Sequence, residues 1–381
     1  MTQGSSRRPG LDSALNRLRE RTARKGATPA GITRVPRDRP LALSFAQQRL
    51  WFLDRLMPDS AFYNFGTAVR VRGPLDAGIL GRALSLVVSR HETLRTVFAD
   101  HDGVPGAVVL PPEPVPVPVT DAADEADAER LAGEEAARPF DLTEGPLLRA
   151  RLLRLAADDH VLSLTVHHIA TDGWSHGLLW TELTTAYAAL AEGRQPALPE
   201  LPVQYADFAA WQRRALTPAV LEQRLAFWRD RLAGLPPLDL PLDRPRPAVA
   251  SAEGGVVTWR LPAVAVAAAR AVAARQGATL HMTLLAAFSA VLGRHARTED
   301  VAVAQPVAGR PLAEAEQLVG FFVNTVVTRT DLAGDPTFAE LVDRVRAASV
   351  DEMAHQDVPF EYLVERLVPE RDLSRNPLAQ V

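Results

Sequence analysis

Hydrophobic residues follow two periods along the chain, and these predict a mixture of helices and strands. The segment TAVRVR at 67–72 alternates with the period of two that a strand shows, and residues 75–90 carry Leu80, Leu84 and Val87 on one helical face. By the same criteria we predict further helices at 46–56, 121–138, 174–190, 218–232, 262–275, 279–297 and 336–356, and further strands at 94–99, 105–110, 147–155, 160–168, 256–261, 301–306 and 322–329.

The two halves of the chain share one order of elements. A strand, a proline and a helix occupy 67–90, and the same order recurs at 256–275. The sequence between them is proline-rich at 235–247, and proline interrupts helices, so we place a linker between about 190 and 247. We therefore predict an α/β (α+β) fold in which an open mixed sheet with helices on it occurs twice.

Residues 1–40 differ from the rest of the chain in charge. They hold ten Lys or Arg and three Asp or Glu, a net charge of +7, so the remainder of a chain with a net charge of −4 carries −11. We interpret them as a flexible basic tail that is a candidate docking segment. Two domains are then predicted to follow, at 41–215 and 216–381.

The composition excludes several kinds of chemistry. Hydrophobic residues make up 47% of the chain and charged residues 23%, which is typical of a globular protein. The absence of cysteine excludes disulfides, a thiol nucleophile and cysteine-ligated metals, and fits a reducing cytoplasm. The single lysine, Lys25, lies in the tail and is a poor candidate for a Schiff base. No segment reaches the roughly 18 apolar residues of a membrane span, and a net charge of −4 gives no general attraction to nucleic acid. We therefore predict neither a membrane nor a nucleic acid as partner.

The segment VLSLTVHHIATDGWS, at 161–175, holds the most informative group of polar residues. Alternation along a strand places His168 on the apolar side and His167 on the polar side. An imidazole at the end of a buried apolar strip is poorly hydrated, which favours its uncharged form and makes His168 the better proton acceptor. Asp172 and Gly173 then make a turn that can aim backbone N–H groups at an oxyanion.

Residues in and next to this segment also match the sequence patterns of two other kinds of site. Residues 173–177 match G-x-S-x-G, the pattern of serine hydrolases and thioesterases, but that pattern needs Ser175 directly at a strand-to-helix turn. His168, Asp172 and His176 have the four-residue spacing of metal ligands on a helix. A strand that ends at His168 argues against such a helix, so we predict no metal site. His168 can also be interpreted as a buried structural histidine.

Seven motifs, in one order, resemble those of the condensation domains of nonribosomal peptide synthetases. The resemblance runs from about Leu41 to Val381, and the opening motif is most similar to that of the class that joins an L-configured donor to an L-configured acceptor. The motifs are SFAQQRLWFL at 44–53, SRHETLRTVF at 89–98, HHIATDGWS at 167–175, YADFAAW at 205–211, LVGFFVNTVVTR at 318–329, HQDVPFE at 355–361 and RDLSRNPLAQV at 371–381.

The resemblance implies a fold, a reaction and a set of partners. The fold would be two chloramphenicol-acetyltransferase-like subdomains in a V-shaped pseudo-dimer, with the C-terminal part of the second missing. The α-amine of an acceptor aminoacyl thioester would attack a donor aminoacyl or peptidyl thioester. Both would arrive on the 4′-phosphopantetheine of carrier proteins, beside an adenylation domain of the same synthetase. The domain itself would bind no cofactor and would be monomeric and cytoplasmic.

The resemblance also assigns roles to residues of the central segment. His168 matches the essential second histidine, which either takes a proton from the amine or holds the amine in place. Asp172 matches an aspartate that points away from the substrates and pairs with an arginine, for which Arg90 is the matching partner. Gly173 lies where a backbone N–H can face the oxyanion, and His167 supports His168.

Other motif positions are weaker candidates. Trp174 matches a supporting position, and Tyr205, Asp207, Trp211 and Asn324 match positions that line the substrate channel or serve packing. Two further functions are carried as alternatives, a non-catalytic recruitment domain of the same fold and a serine thioesterase.

Overall fold

The structure is a computed structural model that describes residues 31–101, 103–248, 254–368, 372 and 374–381. The described chain mixes helices and open sheets, which confirms the predicted α/β (α+β) class. The helices are α1 (Phe45–Leu56), α2 (Ala77–Arg90), α3 (Glu125–Ala137), α4 (Gly173–Ala191), α5 (Tyr205–Ala215), α6 (Pro218–Arg231), α7 (Ala263–Arg275), α8 (Leu280–Ala296), α9 (Phe338–Met353) and α10 (Phe360–Leu367). The strands are β1 (Leu41–Ala42), β2 (Asn64–Arg72), β3 (Thr96–His101), β4 (Val104–Val109), β5 (Val119–Asp121), β6 (Leu148–Ala156), β7 (Asp159–His167), β8 (Asp300–Val307) and β9 (Asn324–Asp331). Short 3₁₀ helices lie at Glu92–Arg95, His168–Ala170 and Ala313–Ala315.

Two predictions of local structure were wrong. Residues 256–261 form no strand, and Val256 and Trp259 are 92% and 75% exposed. Alternation predicts a strand, but a strand also needs a partner for its backbone hydrogen bonds, and none of the described strands pairs with this segment. The second error is an omitted helix, because α5 lies within the predicted linker between about 190 and 247. Its N-terminus is closed by a capping box of Gln204 and Asp207, a pair that differs from the Ser/Thr and Glu/Gln of the sequence signature.

The chain divides into two compact units. The first unit holds residues 32–220 and 308–324, and the second unit holds residues 221–307 and 325–381. Because residues 308–324 follow the linker, we expected them in the second domain. The structure assigns this segment to the first unit, where Arg310 and Phe322 form hydrogen bonds with Asp172.

A four-stranded sheet in the order β2-β7-β6-β5 forms the centre of the first unit. Its first three strands are antiparallel, and β5 runs parallel to β6. α2 and α4 cover one face, where Leu84, Val166 and Leu179 share a core, and α3 covers the other through Ala132 and Leu153. Because both faces are covered, almost all of β7 is buried. A separate sheet in the order β1-β4-β3 completes the unit.

The chain before β1 packs on the first unit. Ile32 is buried in a core with residues of α5, and the backbone N–H of Val35 donates to Asp207 Oδ1 over 2.8 Å. Arg37 forms ion pairs of 2.8 Å with both Glu92 and Asp207. The prediction of a flexible tail up to residue 40 is therefore wrong for these residues. The rest of the predicted tail, residues 1–30, lies outside the described residues.

The second unit packs α8 and α9 against the paired strands β8 and β9. Leu285, Val303 and Val342 lie in its core, together with Leu238 from the proline-rich segment. Trp228 of α6 is also buried, and its indole Nε1–H donates to the backbone oxygen of His355 over 3.1 Å.

No single helix among the described residues is long and apolar enough to cross a membrane. The pair α7 and α8 reaches that length and hydropathy when taken together, but the two helices are bent by 107° at their junction.

The buried indole of Trp228 predicts a large contribution to stability. Replacing it by alanine (Trp228→Ala) should lower the free energy of unfolding by about 3–5 kcal/mol, because it leaves a cavity and an unpaired carbonyl. Trp259→Ala is the matched control, and its exposed ring should change this free energy by less than about 0.5 kcal/mol. Denaturant titration followed by circular dichroism measures both, and equal losses would contradict the assigned burial.

Candidate active site

The HHIATDG segment spans a strand end, a tight turn and a helix start. β7 ends at His167, and the N–H of His168 still donates to the backbone oxygen of Tyr63 over 2.8 Å, which continues the pairing of β7 with β2. A 3₁₀ turn follows, and Asp172 then caps α4 by accepting the Ser175 N–H on Oδ1 over 2.7 Å. An aspartate suits this position because it accepts an N–H that the helix leaves unpaired. The two histidines are thus held by regular backbone structure on both sides.

The ring of His168 has a defined tautomer. Its Nδ1 lies 2.7 Å from the backbone oxygen of Thr171. A carbonyl oxygen can only accept, so Nδ1 carries the hydrogen and Nε2 of the neutral ring keeps a lone pair. The imidazole is half-buried between two aromatic rings, with centroids 5.8 Å from Phe65 and 4.8 Å from Phe321. Nε2 is therefore a positioned acceptor for a proton or an N–H group.

His167 has a different role from His168. Together with Ser163 and Thr165 it lies on the polar side of β7, as predicted from alternation, and this side faces α3 and is buried. Its Nδ1 accepts the N–H of Ile169 over 3.2 Å, and its ring lies 6.0 Å from that of Phe140. Burial, with smaller contributions from His168 and Arg149, lowers the pKa of His167 to about 4. This imidazole is neutral near pH 7 and stabilises the turn.

Asp172 pairs with Arg310, and the predicted partner Arg90 was wrong. Arg310 Nη2 lies 3.2 Å from Asp172 Oδ1, and the Phe322 N–H donates to Oδ2 over 3.0 Å. Arg90 instead pairs with Glu182 at 3.1 Å. Glu182 lies ten residues further along α4 than Asp172, about 15 Å at the rise of a helix, which places Arg90 away from the turn. Arg90, the arginine at the matching motif position, therefore pairs with Glu182 and not with Asp172.

Ser175 does not have the surroundings of a nucleophile. It is fully buried, and its hydroxyl donates to the Gly320 oxygen over 2.8 Å. The hydroxyl oxygen in turn accepts from the Gly320 N–H at 3.0 Å and from Arg310 at 2.8 Å. A hydroxyl has one hydrogen and two lone pairs, so its capacity is used. The serine holds residues 308–324 against α4.

The spacing of His168, Asp172 and His176 does not produce a metal site. His168 bonds the Thr171 carbonyl, Asp172 pairs with Arg310, and His176 Nε2 lies 2.7 Å from Thr67 Oγ1. Within the part of the chain that the structure describes, no group of three or more His, Cys, Asp or Glu side chains is arranged to hold a metal ion.

The start of α4, which follows the turn that begins at His168, presents backbone donors. Gly173 and Trp174 are its first two residues, and both are exposed. Helix geometry leaves the N–H groups at these positions without an acceptor inside the helix. The Trp174 indole is anchored, because its Nε1–H donates to the Glu316 oxygen over 3.0 Å. The N-terminus of α4 can therefore stabilise a developing negative charge.

The remaining motif residues have packing partners. The Tyr205 hydroxyl donates to the Phe321 oxygen over 2.6 Å and accepts from Ser44 over 2.8 Å, and burial raises the pKa of this phenol. Asp207 is fully buried and accepts from Arg37. Trp211 stacks on Phe208 with centroids 5.8 Å apart, and Asn324 begins β9.

Arg310 is the residue of this site that sequence reasoning missed. It lies 138 positions from Asp172 and outside the recognised motifs, so no local pattern marks it. Its guanidinium also lies 3.9 Å from the ring centroid of Phe322, which belongs to the LVGFFVNTVVTR motif. This motif was therefore the sequence feature closest to Arg310 that indicated a functional role for residues 308–324.

The fold and the HHIATDG segment point to one class of protein, the condensation domains. The family model for the Condensation domain matches residues 38–381, and the chain belongs to this family. This confirms the resemblance that the ordered motifs indicated.

Relatives and solved structures agree with this assignment. The chain is 50% identical over 357 residues to one of the linear gramicidin synthase proteins of Brevibacillus parabrevis, covering 92% of this chain and 5% of the synthase protein. It is 34% identical, with a TM-score of 0.82, to the X-domain in the complex of the X-domain and OxyB from teicoplanin biosynthesis, covering 93% of this chain and 79% of that one. It is 28% identical, with a TM-score of 0.74, to the first condensation domain of the CDA synthetase, covering 87% and 80%. The chain thus spans a small part of the synthetases it matches.

The buried ion pair predicts strong coupling between Asp172 and Arg310. Arg310→Met should lower the free energy of unfolding by about 3–5 kcal/mol, because it leaves a buried carboxylate without its partner. In a double-mutant cycle with Asp172→Asn, the two losses should be far from additive, whereas Arg90→Met and Asp172→Asn should add within about 0.5 kcal/mol. Denaturant titration measures all five variants, and coupling to Arg90 instead of Arg310 would contradict the assignment.

The lowered pKa of His167 predicts a loss of stability in acid. Between its ordinary pKa of 6.5 and the folded value of about 4, the unfolded chain binds more protons than the folded one. The contribution of His167 to the free energy of unfolding is therefore complete above pH 6.5, and it falls by about 3 kcal/mol as the pH drops to 4. His167→Asn keeps an acceptor for the Ile169 N–H but does not titrate, so it should remove this part of the pH dependence. Denaturant titration from pH 4 to 7, with the exposed His295→Asn as control, tests this, and parallel profiles would refute it.

Proposed function

We propose that this domain forms an amide bond between a donor acyl thioester and the α-amine of an acceptor aminoacyl thioester, both carried on phosphopantetheine arms. The observation that carries the proposal is the His168 ring, whose Nδ1 is fixed on the Thr171 carbonyl and whose Nε2 is left as an acceptor. Membership of the condensation family, whose relatives include peptide synthetases, supports the same reaction.

The proposed reaction transfers an acyl group from sulfur to nitrogen. The acceptor amine attacks the thioester carbonyl, the C–N bond forms and the C–S bond breaks, and the donor arm leaves as a thiolate. The amine gives up one proton, which ends on the thiolate. His168 Nε2 either carries this proton or holds the amine by accepting its N–H, and the N–H groups at the start of α4 stabilise the oxyanion.

The proposed amide-forming reaction does not need a strong base. A free α-amino group has a pKa of about 8, so a sizeable neutral fraction exists near pH 7. Bringing two tethered reactants together supplies much of the acceleration that such a reaction needs. The rigid strand–turn–helix segment and the buried ion pair behind it suit positioning. Joining an L-configured donor to an L-configured acceptor remains our proposal for the subclass.

The proposed partners follow from the same chemistry. Two carrier proteins deliver the substrates, and an adenylation domain of the same synthetase loads the acceptor carrier. The peptide made and the amino acids joined are properties of that whole synthetase.

A recruitment module is the second candidate, favoured by the similarity to the X-domain solved with OxyB. It would bind its partner without turnover. The anchored His168 tautomer and the capped Asp172 turn favour catalysis instead, since binding alone needs neither.

The proposed reaction predicts that His168 is indispensable for product formation. In the full-length protein with two loaded carrier proteins, His168→Ala should reduce dipeptidyl product by about a hundredfold or more, as loss of a positioned acid–base group does. Exposed His295→Ala is the control and should leave the rate unchanged. Mass spectrometry of the acceptor carrier measures the product.

Other outcomes of the same assay separate the alternatives. Carrier binding with no product from wild type would favour the recruitment module. Covalent labelling of Ser175 by a serine-hydrolase probe would favour a thioesterase. Ser175→Ala should keep measurable activity but lose about 1–3 kcal/mol of stability, since Gly320 and Arg310 lose a buried partner.

A further inference from the structure

A second histidine lies one aromatic ring away from His168. His176 is on α4, one turn after Asp172, and its side chain is almost fully buried. Its ring centroid lies 4.6 Å from that of Phe65, and the Phe65 centroid lies 5.8 Å from that of His168. Phe65 thus contacts both imidazoles, and the position of its ring depends on both.

One hydrogen bond fixes the His176 ring to the sheet. Its Nε2 lies 2.7 Å from Thr67 Oγ1 on β2, two residues after Phe65. Among the residues that the structure describes, Nδ1 of His176 is buried without a hydrogen-bond partner. Burial also lowers the pKa of His176, which keeps the ring neutral near pH 7. The contact with Thr67 therefore decides the orientation of the ring, because the other nitrogen offers no competing anchor.

The register of the sheet explains why this chain of contacts ends at His168. Phe65 is paired with Val166 and Thr67 with Leu164, so both side chains lie on the face of the sheet that carries α2 and α4. His176 reaches the same face from α4. When the His176 ring moves, the Phe65 ring in contact with it moves as well. The His168 ring then loses one of its two aromatic contacts.

We infer that His176, anchored by Thr67, is a positioning residue that fixes Phe65 against the imidazole of His168 and so sets where Nε2 of His168 lies. The kinetic consequence rests on the proposed amide-forming reaction, whereas the structural consequence does not. The site is distinct from the Asp172–Arg310 pair, which holds the backbone of the turn. Here the side chain of His168 is held instead.

The test removes the anchor without changing its shape. Thr67→Val deletes the hydroxyl, so the His168 ring ¹⁵N and ring-proton NMR signals should shift, and the condensation rate constant should fall about tenfold with little change in KM. Thr67→Ser keeps the hydroxyl and should restore both. Thr165→Val is the matched control, since Thr165 is a buried strand threonine whose hydroxyl has no partner among the described residues.

A double variant distinguishes positioning from general destabilisation. Adding His176→Phe to Thr67→Val replaces both polar partners by apolar groups, so packing on Phe65 and the His168 signals should move back towards wild type. Unshifted His168 signals and an unchanged rate in a folded Thr67→Val variant would overturn the inference. Shifted signals in Thr67→Val, with no condensation by wild type, would leave the inference standing and reject the proposed reaction.

Discussion

The buried contact between Asp172 and Arg310 is the constraint on which the site depends. A carboxylate that is almost fully buried is stable as an anion only beside a partner, and Arg310 supplies that partner together with the Phe322 N–H. The same arginine bonds Ser175, which closes residues 308–324 onto the start of α4. Through these contacts the turn after His168 has one conformation, because any other would leave a charge or a donor buried and unpaired.

Adjacent histidines in this turn have different chemistry because adjacent strand residues face opposite sides. His167 points into a covered face, where burial keeps it neutral and its Nδ1 accepts a turn N–H. His168 begins the 3₁₀ turn, remains half-buried, and uses Nδ1 as a donor to Thr171. The acceptor nitrogen of His167, Nδ1, is therefore used within the protein, whereas the acceptor nitrogen of His168, Nε2, is left for a substrate.

The arrangement suits a reaction that depends more on position than on basicity. Regular structure holds the backbone of His168 on both sides, and aromatic rings hold its side chain. Phe321 comes from the segment that Arg310 anchors, and Phe65 comes from β2, where His176 and Thr67 hold it. Two sets of contacts from different segments of the chain thus meet at the imidazole of His168.

Patterns among neighbouring residues were enough to predict the class of fold, most helix and strand positions, the family and the central HHIATDG segment. These depend on periodicity, capping residues and motif order, which the order of residues contains directly. Such patterns could not identify the arginine that pairs with Asp172, since Arg90 and Arg310 carry the same charge and the packing of residues 308–324 decides between them. Nor could they predict the burial of His167, which depends on a helix covering the second face of the sheet, or the absence of a strand at 256–261, which depends on a partner strand. Burial and pairing between distant segments are tertiary properties, so only the folded chain settles them.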